Sequence, residues 1–541
     1  MGFVPNPIFN DNPDPTAPTN RIHRGLDGTG AVRPKEYPVI VALTLACIVG
    51  CARHVTVSID SGRVSGVSDG DVVAYRGIPF AEAPVGNLRW KPPQRVKRWT
   101  GILEADVYKP QCMQLGPPLP TMPAESSSED CLYLNIWVPA SQEKSRRPVM
   151  VFLSGGGFRR GSASTPLYWG DKLATKHGVI VVNLAYRLGP LGFLVHPELT
   201  AESPHRVSGN YGLLDMIAGL EWVQRNIAAF GGDPANVTLF GQSAGAWAIN
   251  KLMISPLAAG LFAKAIAESG GDMGPTDTAE GIASIEKAQR SGVAFATALG
   301  AESVTDLRAM SASRVTAATF AGLPEIAHYD GSQPIQDGYV IPADTYSLYA
   351  NGKQANIPLL LGYNDDEAVN MVHPVSAPEY ARNAHNQYGP WADKFLQLYP
   401  ATSETVAARS QMRLASEDWI NWQVWSWARV HAHTSHSKVF FYHFVGPPSF
   451  HGAELPLVFA READAHNESQ IISTYWTNFA RSGDPNGTNS VLWPPFTDGA
   501  TTTMYLGQTP HVGPLPDAQE HALMDSYMNS LRLSSRTARQ D

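Results

Sequence analysis

Ser243 stands where a serine can act as a nucleophile. The run Val237 to Phe240 is β-branched and aromatic and reads as a buried strand. It meets Gly241, Gln242, Ser243, Ala244 and Gly245 with no spacer, and a helical run from Ala244 to Met253 follows at once. Strand, G-x-S-x-G and helix in that order describe a nucleophile elbow, a tight turn on which flanking glycines clear space and the hydroxyl is lifted toward solvent. A chain with 47 glycines also produces such a pentapeptide by chance as an ordinary turn, so its weight rests on that context and on partners elsewhere. A serine hydroxyl at its free pKa is a poor nucleophile. It needs a base, the base needs an orienting carboxylate, and acyl transfer also needs donors for the oxyanion that develops. Ser154, Gly155, Gly156, Gly157 and Phe158 offer those donors, because successive glycines let backbone N–H groups converge unobstructed; a flexible loop is the plainer alternative.

The elements that must position these groups are written as apolar runs. Pro148 to Leu153, Gly178 to Leu184, Lys264 to Ser269, Ile357 to Leu361 and Lys438 to Val445 read as strands, continuous in their hydrophobicity as a parallel sheet covered on both faces demands. Leu213, Leu214, Ile217, Leu220, Trp222, Val223 and Ile227 recur at helical spacing, and Gly231, Gly232 and Pro234 stop that helix. His54 to Val67 alternates apolar with polar residues and reads as a hairpin turning at Ser61 and Gly62, while Arg76 to Pro93, dense in proline and glycine, reads as an ordered irregular segment. GYNDDEA follows the strand Ile357 to Leu361, so Asp365, Asp366 and Glu367 are all candidates for the acid. His451 lies on the proline-rich loop Gly446 to Phe459, beyond the strand Lys438 to Val445, where a base can swing over the serine. Of its rivals, His443 lies inside the strand and reads as packed. His431, His433 and His436 read as a solvated segment without a metal-ligand framework.

RGIPFAEAPVGNLRWKPP (Arg76 to Pro93), EDCLYLNIW (Glu129 to Trp137), the glycine loop, the elbow and YWTNFARSGDPNG (Tyr475 to Gly487) with Trp493 and Pro494 come in one order along the chain. In that order they resemble the type-B carboxylesterase and cholinesterase family, from about Gly62 to about Pro494. The resemblance implies an α/β-hydrolase fold, with a mostly parallel central sheet and helices on both faces. It implies a triad taken in the order serine, acid, histidine: Ser243, Glu367 and His451, the last followed by Gly452, Ala453, Glu454, Leu455 and Pro456. It also implies oxyanion donors from Gly156, Gly157 and Ala244, a disulfide between Cys112 and Cys131, and structural ion pairs at Arg89, Glu129, Arg187 and Asp215. The chain departs from the family at Ser154, where histidine or tyrosine is common, at Ala368 in place of a glycine, and at Gln242 in place of a glutamate. The segment from Gly271 to Pro358 would be mostly helical and line the substrate gorge.

Composition is that of a globular chain. With 43% hydrophobic and 17% charged residues the chain is long enough for a large core, and a net charge of −8 without a long basic run excludes an electrostatic footprint for nucleic acid. Tyr37 to Cys51, apolar and preceded by Arg33 and Lys35, reads as an export signal, with a buried strand or helix as the alternative. Ile48, Val49, Gly50 and Cys51 match a lipobox that would lipidate Cys51 and anchor the protein to a membrane; a cleaved, unlipidated signal is the rival. The domain boundaries are therefore an extension and signal over 1–51 and one hydrolase domain over 52–541. The expected activity is hydrolysis of short-chain or aryl carboxylic esters, small molecules, through an acyl-enzyme that needs no metal or organic cofactor. Leu115 to Asp130 contains no aromatic residue that would hold a quaternary ammonium, which argues against choline esters. Alternatives are a lipase acting on longer-chain glycerides and a homologue that has kept the fold but only binds partners.

Overall fold

In the computed structural model the apolar runs become the inner strands of a 13-stranded sheet. The structure describes residues 53–541 apart from 115–125, 142, 144, 280, 319–330, 462–467, 489 and 538–541. The expected N-terminal extension, the export signal and lipidation at Cys51 lie outside the described residues. The labelled strands are β1 (Arg53–Ile59), β2 (Gly62–Asp69), β3 (Val72–Pro79), β4 (Tyr133–Pro139), β5 (Arg147–Leu153), β6 (Ile180–Leu184) and β7 (Gly232–Gln242). They continue with β8 (Lys264–Glu268), β9 (Leu359–Asn364), β10 (Val439–Phe444), β11 (Thr502–Leu506) and β12 (His511–Pro514). Their spatial order is β1-β2-β3-β4-β6-β5-β7-β8-β9-β10-β11-β12, with Ile102–Glu104 alongside β2. Every neighbouring pair from β6 across to β11 is parallel, and the strands on either side are antiparallel.

Alternation along the inner strands divides the core in two. Val149, Val151 and Leu153 face one apolar cluster with Leu239, Leu359 and Leu361, whereas Met150, Phe152, Phe240 and Leu360 face the other. Helix α1 (Tyr211–Asn226) covers the first face through Leu213, Met216, Leu220 and Val223. Another helix, Glu468–Ser482, covers the second through Ile472, Tyr475, Trp476 and Phe479. Each such side chain contributes roughly 1.5–3 kcal/mol on burial, which is why a strand with both faces covered carries no polar alternation.

Local readings are corrected in three places. The hairpin turns at Asp60 and Ser61, with Ile59 opposite Gly62, one residue earlier than the Ser-Gly signal suggests. Arg76 to Pro79 belong to β3 rather than to an irregular segment; the strand shifts register between Tyr75 and Ile78, and that irregularity accommodates Gly77. Between Gly271 and Pro358 the described helices are Ile285–Ala298, Val304–Ala309, Ala312–Ala317 and Thr345–Ala350, well under half of the segment. The other described residues there include polar turns, such as the three backbone N–H groups of Tyr339, Val340 and Ile341 on Asp337 Oδ1.

The disulfide and both structural ion pairs are present. Cys112 and Cys131 are bonded, with Cα atoms 5.0 Å apart, and closing a loop of that length stabilises by about 3 kcal/mol in the chain-entropy model. Arg89 makes a two-pronged bond to Glu129 at 2.7 and 2.6 Å, and Arg187 does the same to Asp215 at 2.8 and 2.7 Å. Parallel strands end on the same side of a sheet, so the loops after β5, β7, β9 and β10 gather there.

Candidate active site

Strand β7 ends at Gln242, and helix α2 (Ala244–Leu252) begins one residue after Ser243. Ser243 itself has φ +57° and ψ −123°, a left-handed conformation that costs a non-glycine residue of order 1–3 kcal/mol and persists only when its surroundings hold it. They do so through both of its backbone groups. The Ser243 N–H donates to the Glu268 carbonyl at the end of β8 at 2.8 Å, and its own carbonyl accepts from Trp247 N at 2.9 Å. Gly245 packs so tightly under β5 that a Cβ there would collide with the Leu153 carbonyl. Spacing in the pentapeptide is therefore a consequence of strand-to-helix packing, as well as of chemistry.

The glycine loop after β5 lies directly over this turn. A Cβ on Gly155 would sit 3.0 Å from Ser243 Cβ and 2.8 Å from Gln242 Oε1. Gly156 and Gly157 take φ of +115° and +62°, and the Gly156 carbonyl accepts from the N–H groups of Arg159 and Arg160 at 3.1 Å each. The loop is fixed at both ends: Tyr186 Oη donates to the Ser154 carbonyl at 2.7 Å, and Gly189 N donates to the Phe158 carbonyl at 2.7 Å. Gln114, two residues past Cys112, braces it further, donating to the Gly161 carbonyl at 3.0 Å and accepting from Gly161 N at 3.1 Å. Ser154 keeps its backbone in place without the larger side chain common in the resembled family. Of the segment between the bridged cysteines, residues 115–125 lie outside the described residues.

Of the three acids after β9, one reaches the histidine. Glu367 is fully buried and its Oε2 accepts from His451 Nδ1 at 2.5 Å, while its Oε1 accepts from Asn364 N at 2.7 Å. Asp365 turns to His443 Nε2 at 3.0 Å, and Asp366 accepts from Ser449 Oγ at 2.9 Å. The acid loop and the histidine loop are joined by a backbone bond, Asp366 N donating to Ser449 O at 3.0 Å, and by the Asn364 side chain, whose Nδ2 donates to Phe450 O at 2.9 Å. His443 is packed within β10, as its place in the strand suggests. His431 is not solvated: it lies in the helix Trp422–Thr434, fully buried, and its Nε2 bonds the Ile357 carbonyl at 3.0 Å. The helical face it occupies is apolar, and the polar residues around it in sequence lie on other faces. His433 and His436 are exposed, and no metal-binding group of histidine, cysteine or acid residues occurs among the described residues.

Burial draws the His451 imidazolium down, but the Glu367 carboxylate, with Glu454 behind it, more than offsets that and holds its pKa above the ordinary histidine value. With Nδ1–H given to Glu367, Nε2 is left as an acceptor. In this structure its hydrogen bond is with Gln242 Nε2, at 3.0 Å. Gln242 reads from sequence only as a lost negative charge; that it donates to the candidate base is invisible without the fold. Glu268 and Glu454 were equally hidden, although an acid ending the apolar run KAIAE and another three residues after His451 are signals that sequence offers.

A model described as the carboxylesterase family matches residues 53–524. The fumonisin B1 esterase of Sphingopyxis macrogoltabida is 37% identical over 464 residues, covering 81% of this chain and 83% of that protein. The para-nitrobenzyl esterase of Bacillus subtilis (strain 168) is 36% identical over 486 residues, covering 84% and 95%. Among solved structures, a PNB esterase superposes with a TM-score of 0.75 at 34% identity, covering 87% of this chain and all of that one.

Proposed function

The chain belongs to the carboxylesterase family and is a serine carboxylesterase acting on esters, and from that premise we propose that Ser243, His451 and Glu367 perform the reaction on short-chain or aryl esters outside the cytoplasm. The observation that carries the assignment is the 2.5 Å bond between His451 Nδ1 and Glu367 Oε2, with His451 Nε2 at 3.0 Å from the amide of Gln242, the residue that precedes a serine held in a left-handed turn. His451 Nε2 leaves the Gln242 amide, takes the Ser243 proton as Oγ attacks the ester carbonyl, and Glu367 stabilises the imidazolium that results. Backbone N–H groups of Gly156, Gly157 and Ala244 hold the oxyanion; loss of one such donor costs about 3 kcal/mol of transition-state stabilisation. The alcohol departs with the proton from His451, and water repeats the sequence to release the acid.

Short or aryl esters are supported by the small disulfide loop and by a relative whose name records a benzyl ester. Export is supported by the Tyr37–Cys51 segment and by the bridge itself, since cytosolic thiols are kept reduced. Cys51 is the proposed lipid anchor. Hydrolysis of a chain-length series of p-nitrophenyl esters tests the activity, with Ser243→Ala as control. Turnover falling with acyl length and absent in the variant is expected. Activity that rises at an emulsified triglyceride interface would favour the lipase alternative, and a folded enzyme inert to the whole series would remove the assignment.

A further inference from the structure

The site buries more acid than the triad uses. Glu268, the last residue of β8, is 0% exposed, and Glu454, three residues after His451, is 1% exposed. Each has one oxygen occupied: Trp476 Nε1 donates to Glu268 Oε1 at 3.0 Å, and Asn364 Nδ2 donates to Glu454 Oε2 at 2.5 Å. The other two oxygens, Glu268 Oε2 and Glu454 Oε1, have no partner among the described residues, and neither does the buried Tyr442 hydroxyl. Three unmatched polar atoms in a buried region are expensive unless a proton or a water satisfies them. Both acids are also connected to the triad. The Glu268 carbonyl receives the Ser243 N–H, and Asn364, which holds Glu454 by its side chain, holds Glu367 by its backbone.

Two buried carboxylates that feel one another cannot both stay ionised cheaply. Burial, and then the charge of Glu454, pushes Glu268 well above the usual carboxylate range. Burial, and then the charge of Glu367, pushes Glu454 up to about 7. The titratable groups facing the pair are Glu367 and His451 from the loops after β9 and β10, Tyr442 from β10, and Tyr168 from the turn Pro166–Tyr168. Burial first, and then both acids, raise the two tyrosine hydroxyls, so neither ring supplies a second charge. Among these groups only His451 can become a cation.

We propose that Glu268 and Glu454 share one proton across neutral and mildly alkaline pH and act as a positioning pair, whose single remaining negative charge supports the His451 imidazolium from behind Glu367. One proton held by the pair removes one of the two buried charges, and the charge left over sets how readily His451 accepts the serine proton. This rests on the roles proposed for His451 and Glu367.

The test is the pH profile of kcat/KM on a neutral p-nitrophenyl ester for Glu268→Gln, Glu454→Gln and the double variant. A glutamine beside a glutamate replaces the shared proton with an amide N–H and keeps one negative charge. Each single variant is therefore expected to leave the acid limb within about 0.3 unit of wild type, whatever its kcat, and the double variant to lower it by about one unit. Equal downward steps in both single variants would mean that both acids are ionised in wild type, and an unmoved limb in the double variant would mean that the pair does not act on His451; either overturns the proposal. Should the double variant not fold, infrared spectroscopy decides. In wild-type-minus-variant difference spectra at about pH 8 a protonated carboxyl band should appear for either single variant, other buried acids such as Glu417 cancelling, and its absence from both differences overturns the proposal. Failure of the triad reading is distinguishable, because His451→Ala would then remain active.

Discussion

His451 Nδ1 donates to Glu367 at 2.5 Å and Gln242 Nε2 lies 3.0 Å from its Nε2, an arrangement in which the neutral ring presents Nε2 as the acceptor a base requires. An amide at that position contributes a donor and no charge. Gln242→Glu would place a carboxylate beside Nε2, stabilise the imidazolium and raise its pKa by about one unit or more. Because the base works only when unprotonated, the acid limb of kcat/KM should move to higher pH and activity on the acidic side should fall. A limb that stays where wild type has it would mean that Gln242 does not contact the base in solution. Sequence marks the position as unusual, but it cannot give the direction of the side chain, which depends on the loop after β10 folding back over the end of β7.

At the scale of elements, the strand, elbow and helix around Ser243 are legible because local signals agree. Val237 to Phe240 is strand-forming, the glycines permit the turn, and the helix begins at Ala244. The glycine loop and the choice of His451 are legible because each follows a continuous apolar strand. Residue chemistry alone leaves three acids after β9; the family resemblance singles out Glu367, and in the fold it is Glu367 that reaches His451 while Asp365 and Asp366 turn to His443 and Ser449. His431 is the counterexample: neighbouring histidines made a polar-looking stretch, while a helix repeats every 3.6 residues and turns one of them into the core. Gly245→Ala tests the elbow's geometry. The added methyl meets the Leu153 backbone, which has no rotamer by which to yield, so a loss of about 3 kcal/mol is expected. Thermal unfolding measures it; an unchanged midpoint would mean that α2 does not pack directly against the Leu153 carbonyl of β5.

For the whole molecule, buried histidines tie stability to pH. Burial pushes His177, His431 and His521 down to about 4. Unfolded, each would bind a proton near pH 6.5. The unfolded chain therefore takes up more protons as pH falls, and the stability these groups contribute, complete above about pH 6.5, is lost progressively toward about pH 4. The melting midpoint should fall across that window, and the fall should lessen when His431 or His521 is replaced by an apolar residue of similar volume in a variant that still folds. A midpoint flat from about pH 6.5 to 4 would contradict their burial as neutral groups. Such groups escape sequence reading because desolvation is a property of the packed interior. The parallel sheet, by contrast, is legible in the five apolar runs that became β5, β6, β8, β9 and β10.

The most direct test of the catalytic assignment is covalent. Wild-type protein treated with an organophosphonate and mapped by peptide mass spectrometry should carry one adduct, on Ser243, with hydrolysis of p-nitrophenyl esters lost in proportion to labelling. His451→Ala should label far more slowly, because the serine then lacks its base. Ester hydrolysis that survives complete labelling of Ser243, or an adduct on another residue that tracks the loss of activity, would contradict the assignment.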